Sequence, residues 1–217
     1  AVGYNALTAN TTGSHNTAFG TSGLASNTSG NQNSAIGLLS LADNTTGNNN
    51  IATGYASLYR NTTGTGNVAN GSFALYYNTQ SGRNTAIGYA TLMDVSKTSN
   101  ANNTALGWNA GNTGTNDITT GDNNVLLGAS TAASQAAASN QIVIGYGATG
   151  KGDNTVTIGN GDITTWSPTD DGEVDLGSSS VEFKDLYVDG VAYTDAIGFG
   201  STAMSLFSSH RRSVCPA

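Results

Sequence analysis

The sequence predicts an all-β fold, a parallel β-solenoid built from repeats of about 17 residues. A unit of that length returns along the first half of the chain, and such fixed-period self-similarity is typical of solenoids. Glycine and asparagine recur every few residues, which opposes helix formation, and the apolar residues lack a helical period. The units open at Ala1, Ala18, Ala35, Ala52, Ala69 and Ala86.

Each unit contains two short strand-like pieces separated by turns. The first is of the Thr-Ala-Ile-Gly type, as at 85–88, and the second centres on an Ala-Leu pair, as at 74–75. Segments of the Asn-Thr-Thr-Gly type lie between these pieces. They are predicted to be turns, because asparagine and glycine adopt the positive φ angles that tight turns need. We expect residues 1–160 to form stacked parallel strands with one buried leucine column: Leu7, Leu24, Leu41, Leu58, Leu75 and Leu92.

Asparagines at the turns are expected to form a structural ladder. Stacked coils place equivalent residues about 4.8 Å apart, so each amide is within reach of the amide in the next coil. We therefore interpret these asparagines as structural residues. The ladder positions are Asn10, Asn27, Asn44, Asn61 and Asn78, and a second asparagine series returns at Asn16, Asn33, Asn50, Asn67 and Asn84.

Adjacent apolar residues in the strands indicate an oligomer. Ala35 and Ile36 are neighbours, as are Ala86 and Ile87. Neighbours on a strand point to opposite faces, so one residue fills the thin coil interior and the other needs a separate cover. Several chains packed around an axis supply that cover, at about 1.5–3 kcal/mol for each isoleucine fully buried. We expect a homotrimer.

The repeat loosens after Ala86 and ends near Asp162. The unit that opens at Ala86 continues to Ala105 and the next continues to Leu126, so both are longer than the units before them. The strand-and-glycine openings persist beyond that point. Because the chain begins inside a repeat, we expect it to be a piece of a longer polypeptide. The predicted domains are a β-roll over 1–161, a small distal β cap or linker unit over 162–207, and a frayed or artefactual tail over 208–217.

The predicted distal cap has a physical purpose, because an open end would expose unpaired strand edges. Trp166 lies where the composition changes and is expected to plug the end of the roll. Four apolar residues farther along are expected to close that end: Leu176, Phe183, Leu186 and Val188.

The repeat, as in Asn84-Thr85-Ala86-Ile87-Gly88-Tyr89-Ala90-Thr91-Leu92, resembles the head repeats of trimeric autotransporter adhesins, which also occur in phage tail fibres. That resemblance implies a left-handed parallel β-roll shared by three chains. The segment Asp175-Leu176-Gly177-Ser178-Ser179-Ser180, with the later Phe183-Lys184-Asp185-Leu186-Tyr187-Val188-Asp189-Gly190, resembles the stretch of phage tail fibres that precedes an endosialidase-type intramolecular chaperone. The two resemblances imply a tail-fibre segment located in the virion.

Composition and residue placement argue against several function classes. Charged residues make up 10% of the chain and its net charge is −7, so no basic patch is available for nucleic acid. No apolar stretch approaches the length of a membrane span, about 18 residues. His15 and His210 lie far apart, and Cys215 lacks the context of a nucleophile. We predict no catalytic residue, no metal site and no cofactor, and no hydrolase activity, because no acid or histidine recurs near another.

Aromatic side chains are the predicted binding residues, because their flat faces suit the apolar patches of sugars. The alternative for the same side chains is that they cover the roll or the chain interface. The residues are Tyr55, Tyr59, Tyr76, Tyr77, Tyr89 and Trp108.

The predicted function is a structural and adhesive fibre segment that presents a receptor-binding surface to a polysaccharide or protein on a host cell. Weak contacts on three chains add by avidity. One alternative is a head segment of a bacterial trimeric adhesin, located outside the cell at its surface. Another is an ice-binding solenoid, which requires a flat threonine array on an exposed face. A third, an enzyme acting on surface polysaccharide, requires paired carboxylates in a groove.

Overall fold

A computed structural model of the chain describes residues 1–96, 98–99 and 101–167. The fold of this part is all-β, as predicted, and no helix occurs in it. Nine parallel strands form one sheet in sequence order, one strand for each coil of a β-solenoid. The strands are β1 Thr17–Phe19, β2 Ser34–Ile36, β3 Ile51–Thr53, β4 Val68–Asn70, β5 Thr85–Ile87, β6 Thr104–Leu106, β7 Val125–Leu127, β8 Ile142–Ile144 and β9 Val156–Ile158.

The strands stack in register because the sequence repeats in register. Ala18 pairs with Ala35 and Ala35 with Ala52, so equivalent residues of successive coils lie side by side. These central alanines are at most 2% exposed, since the middle of each strand points into the coil. The residues on either side point outward, as the alternation of a strand requires.

The predicted leucine column fills the interior, but it does not lie on a second strand. The leucines have φ angles of 49–55°, which is the left-handed region and not the extended region. The prediction of a strand-like piece at each Ala-Leu pair is therefore wrong. Neighbouring coils are still joined there, as by the Leu41 N–H donating to the Ser57 carbonyl at 3.0 Å. Leu7 is partly buried, and five leucines are fully buried: Leu24, Leu41, Leu58, Leu75 and Leu92.

A glycine follows β2 because the next coil leaves no room for a side chain at the bend. Gly37 has a φ of +135°, and a Cβ built on it would lie 2.5 Å from the Gly54 carbonyl oxygen. A backbone oxygen has less freedom to move aside than the end of a flexible side chain. The close stacking of coils at this bend therefore depends on glycine.

The coils change length in the second half while the sheet continues. Ala86 pairs with Ala105, and Ala105 pairs with Leu126, so these two coils are longer than those before them. The second of them, from Ala105 to Leu126, is here called the long coil. Val143 pairs with Thr157, which makes the last coil the shortest of the sheet. The strands therefore keep their pairing although the connections between them differ in length.

An inserted residue completes the core of the long coil. Gly111 lies over Leu92, where the repeat would place the next leucine, and it has no side chain. Ile118 is fully buried in the same core cluster, and its N–H donates to the Gly111 carbonyl at 3.0 Å. That hydrogen bond closes a loop over residues 112–117. Ile118 thus supplies the interior side chain that Gly111 lacks.

Nearly all described residues belong to one compact unit, Ala1–Trp166. Most of the predicted cap over 162–207, with its closing residues Leu176, Phe183, Leu186 and Val188, lies outside the described residues, as does the tail over 208–217. Those expectations stay predictions. The side chain of Trp166 is 80% exposed, so the prediction that it plugs the end of the roll is wrong for the single chain.

Candidate functional site

The outward face of the sheet carries a row of exposed apolar side chains, here called the apolar sheet face. They flank the inward-pointing strand centres and therefore point away from the coil. Their exposed fractions run from 39% to 62%. An extended exposed apolar surface of this kind marks an interaction site. The residues are Phe19, Ile36, Ile51, Ile87, Leu106, Ile142, Val156 and Ile158.

The asparagines of the predicted ladder stand above one another and are joined through their side-chain amides. Asn44 Nδ2 donates to Asn27 Oδ1 at 2.7 Å, and Asn61 Nδ2 donates to Asn44 Oδ1 at 2.8 Å. Asn44 Nδ2 also donates to the Gly47 carbonyl at 3.1 Å. The same pattern starts at Asn10 and extends through Asn27, Asn44, Asn61 and Asn78. These amides are used within the roll and have no role at its surface.

The first ladder ends at Asn78. Its Oδ1 is buried and has no hydrogen-bond partner. The equivalent position of the next coil is Val95, which has no amide to donate and is itself fully buried in the core. The change from asparagine to valine therefore leaves one unsatisfied acceptor at the end of the ladder.

A second ladder precedes the strands and continues farther along the chain. Asn50 Oδ1 accepts from the backbone N–H of Asn67 at 3.0 Å and from its Nδ2 at 3.2 Å. Across the long coil, Asn103 Oδ1 accepts from Asn124 Nδ2 at 3.0 Å. Asn124 Oδ1 in turn accepts from the Gln141 N–H at 3.0 Å. This ladder bridges the longer coils as the sheet does.

The threonines that follow the first ladder use their hydroxyl protons within the roll. Thr28 Oγ1 donates to the Thr45 carbonyl, and Thr45 Oγ1 donates to the Thr62 carbonyl, both at 3.0 Å. Thr45 and Thr62 are only partly exposed. An ice-binding face needs a flat exposed array of such hydroxyls, so this geometry does not favour the ice-binding alternative.

Three of the predicted aromatic residues surround Phe73, which sequence reasoning missed. Its ring centroid lies 5.0 Å from Tyr55, 5.8 Å from Tyr76 and 5.9 Å from Tyr89. All three contacts are edge-on, a favourable geometry for aromatic pairs. The sequence feature that could have identified Phe73 is a break in the repeat, because the neighbouring coils have alanine at this position.

Two further predicted tyrosines extend this cluster. Tyr59 stacks on Tyr76 at a centroid distance of 5.2 Å, and Tyr77 contacts Tyr76 edge-on at 4.7 Å. The Arg60 guanidinium carbon lies 5.6 Å from the Tyr77 ring centroid, within range of a cation–π contact. Tyr77 is 40% exposed, whereas Tyr59 and Tyr76 are covered further, so Tyr77 is the most open of these three tyrosines.

Tyr77 also lines an open groove of about 520 Å³, here called the Arg60 groove, with Arg60, Asp94 and Asp117. Burial raises the pKa of Asp94, and the Asp117 carboxylate raises it further. Asp117 Oδ1 accepts from the Gly114 N–H at 2.8 Å, which orients the carboxylate. The groove also carries the hydroxyls of Thr79, Ser96 and Thr119.

The Arg60 groove corrects one expectation from the sequence. No two acids were expected to lie near one another, but Asp94 and Asp117 line the same groove. They are far apart in the repeat pattern, and the long coil brings the second carboxylate back beside the first. Paired carboxylates in a groove were the requirement set for the polysaccharide-cleaving alternative.

Trp108, the sixth predicted aromatic, lines a separate cavity of about 370 Å³, here called the Trp108 cavity. It follows Gly107 at the end of β6 and is 55% exposed. The inserted loop and the two following coils form the rest of the wall. The other lining residues are Asn109, Thr113, Thr115, Asn116, Ser130, Ala132 and Thr149.

The remaining candidate residues contribute no site within the described part of the chain. No group of three or more His, Cys, Asp or Glu residues is placed there to hold a metal ion. In that same part, no helix has the length and apolar character to cross a membrane. His15 is exposed at a turn, and its Nδ1 lies 3.1 Å from Ser14 Oγ. His210 and Cys215 lie outside the described residues.

Comparison of the chain with known protein families, with curated proteins and with solved structures finds no match. The function is therefore inferred from the geometry of the roll and from the sequence.

Proposed function

We propose that this chain is a structural and adhesive segment of a trimeric phage tail fibre. The apolar sheet face carries the proposal, because its side chains recur from β1 to β9 on the outside of the roll. The interior of each coil is already filled by the opposite side of the same strands, so the single chain cannot bury these residues. Three rolls that turn this face toward a common axis cover it, and closed symmetry is the usual form of such assemblies.

The number of chains and the handedness come from the sequence resemblance. The repeat resembles that of left-handed rolls shared by three chains, and the segment 175–190 favours a phage tail fibre in the virion over a bacterial surface adhesin. Two asparagine ladders and the continuous sheet support the mechanical part of the proposal. They link each coil to the next through buried hydrogen bonds, which suits a stiff rod.

The exposed aromatic residues support the adhesive part of the proposal. Tyr55, Tyr77, Tyr89 and Trp108 are 40–55% exposed, and each chain of a trimer would present its own set. The proposed receptor is a polysaccharide or protein of the host cell surface. Three weak contacts on one rigid rod then give avidity.

Sedimentation analysis tests the proposed assembly. The protein is expected to sediment at three times the chain mass of 21.9 kDa. Replacing Ile36 and Leu106 together by glutamate is expected to release monomers, because burying an unpaired charge costs several kcal/mol. The matched control replaces the exposed turn residues Thr46 and Thr63 by glutamate and is expected to remain trimeric. A parent protein that stays monomeric or dimeric at micromolar concentration contradicts the trimer.

A further inference from the structure

We infer that the Trp108 cavity binds a neutral saccharide, one sugar unit of the receptor; this rests on the proposed receptor-presenting function. The cavity combines an exposed indole with polar side chains and contains no titratable side chain in its lining. An aromatic face suits the apolar face of a sugar ring. Its volume of about 370 Å³ lies at the small end of ligand pockets, which suits one or two sugar units.

The polar groups of the cavity are available to a ligand. Asn109 lines the cavity, but its Oδ1 has almost no accessible surface and no hydrogen-bond partner, and a buried acceptor left unpaired is costly. A rotation of the Asn109 side chain is therefore needed to bring this acceptor to a ligand hydroxyl. Within the described part of the chain, the side chains of Asn116, Ser130 and Thr149 also make no hydrogen bond. Together these side chains offer both donors and acceptors. Sugar hydroxyls need both, because each hydroxyl donates one hydrogen bond and accepts others.

The wall of the cavity is held in place before any ligand binds. Asp117 Oδ1 accepts from the backbone N–H groups of Thr113 and Gly114 at 2.6 and 2.8 Å. Thr113 Oγ1 donates to the Thr115 carbonyl at 2.6 Å, and the Ser130 N–H donates to the Trp108 carbonyl at 2.8 Å. A preformed site avoids the cost of ordering a loop on binding.

The absence of charge in the lining decides between neutral and anionic sugars. An anionic sugar needs a cation to offset its loss of hydration, and neither lysine nor arginine lines this cavity. Two cations line other pockets: Arg60 lies in the Arg60 groove with Asp94 and Asp117, and Lys151 lines a pocket that shares Thr149 with the Trp108 cavity. A neutral sugar bound by an indole, amides and hydroxyls is expected to bind with an affinity insensitive to salt.

Tryptophan fluorescence of the intact chain tests the inference. Trp166→Phe leaves Trp108 as the only tryptophan, and this protein is titrated separately with glucose, galactose and N-acetylglucosamine. At least one of them is expected to give a saturable change with a dissociation constant in the millimolar range, unchanged between low and high salt. Asn109→Gly keeps the positive φ of 53° accessible and removes the buried Oδ1. It is expected to weaken binding about tenfold.

Matched variants locate the site, with binding followed by ligand-observed NMR so that no tryptophan is needed. Trp108→Ala is expected to abolish binding. Tyr146→Ala removes the exposed aromatic at the equivalent position two coils later and is expected to leave binding unchanged.

The sugar inference is overturned by binding that survives Trp108→Ala, by binding that weakens at high salt, or by no saturable change with any of the three sugars. Sedimentation separates the two proposals. A trimer that binds none of these sugars removes the saccharide site and leaves the fibre proposal intact. A monomeric protein contradicts the fibre proposal, whether or not it binds a sugar.

Discussion

The strictly repeating part of the roll, up to Asp94, differs from the part that follows in how its coils are closed. Before Asp94 every coil has the same length, and the sheet, the leucine column and both asparagine ladders advance together. After it, two longer coils are followed by one of the regular length and then by a shorter one. The sheet and the second ladder continue, whereas the first ladder ends at Asn78 and the leucine column at Leu92.

This difference shows that the two sides of a coil tolerate change unequally. The strand side of the coil keeps its pairing across every change of length, and the second ladder on that side continues as far as Gln141. The opposite side, which follows the leucine position, receives the insertions. The Trp108 cavity is formed by such an insertion, and so is the pairing of Asp94 with Asp117 in the Arg60 groove. Candidate sites therefore arise where the repeat is broken.

The largest expected effect is the difference in unfolding free energy between two glycine-to-alanine variants, one in each part of the roll. Gly37→Ala would place a Cβ 2.5 Å from the Gly54 carbonyl oxygen, so the coils must separate, and we expect a loss of at least about 3 kcal/mol of unfolding free energy. Gly147 has a φ of +62° and open space around its Cβ position. Gly147→Ala is expected to cost only about 1 kcal/mol. Urea unfolding of the two variants measures the difference, and equal losses would contradict the stacking argument.

The next largest effect is the difference in unfolding free energy between an alanine substitution in the middle of the first ladder and one at its end. Asn44→Ala removes a side chain that donates to Asn27 and Gly47 and accepts from Asn61, and we expect a loss of about 3 kcal/mol. Asn78→Ala removes two donated hydrogen bonds and also an unsatisfied acceptor. Its cost is expected to be smaller by about 1–2 kcal/mol. Urea unfolding at one fixed pH tests this order, and a costlier Asn78→Ala would reverse it.

The repeat made the sheet and the ladder predictable from sequence, because identical residues in register must meet the same neighbours. It did not predict the left-handed backbone of the leucines. A leucine in that conformation costs about 1–2 kcal/mol, and only the tight coil and full burial impose it. Apolar periodicity alone cannot separate such a bend from a strand.

The candidate sites were predicted only in part. The aromatic residues, Trp108 among them, were identified from their chemistry. Asn109 was not, because it is an ordinary turn asparagine until the inserted loop encloses it. Phe73 and the Asp94–Asp117 pair were missed for a related reason. Each of these features depends on a departure from the repeat, and its neighbours follow from the folded path of the chain, which the repeat does not specify.

The smallest expected effect is on the pH dependence of the unfolding free energy. It comes from two partly buried carboxylates, Asp43 in the regular part and Asp94 at its end. Burial raises the pKa of both. Arg60 opposes the rise at Asp43, whereas Asp117 adds to it at Asp94. In the unfolded chain both titrate near the ordinary value of 3.8. Between that value and the higher folded pKa the folded state binds more protons, so the unfolding free energy falls as pH rises through the window.

Replacing each carboxylate by an amide tests this sign and the order of the two sites. The asparagine side chain of the Asp94→Asn variant cannot ionise. The unfolding free energy of this variant is therefore expected to rise relative to that of the parent as pH rises from about 3 to about 7. Asp43→Asn is expected to gain less, because the substitution also removes the favourable interaction with Arg60. Urea unfolding of the parent and both variants across this pH range gives the two differences. A parent and an Asp94→Asn variant with parallel pH profiles would show that neither burial nor the Asp117 carboxylate raises the pKa of Asp94 in the folded chain.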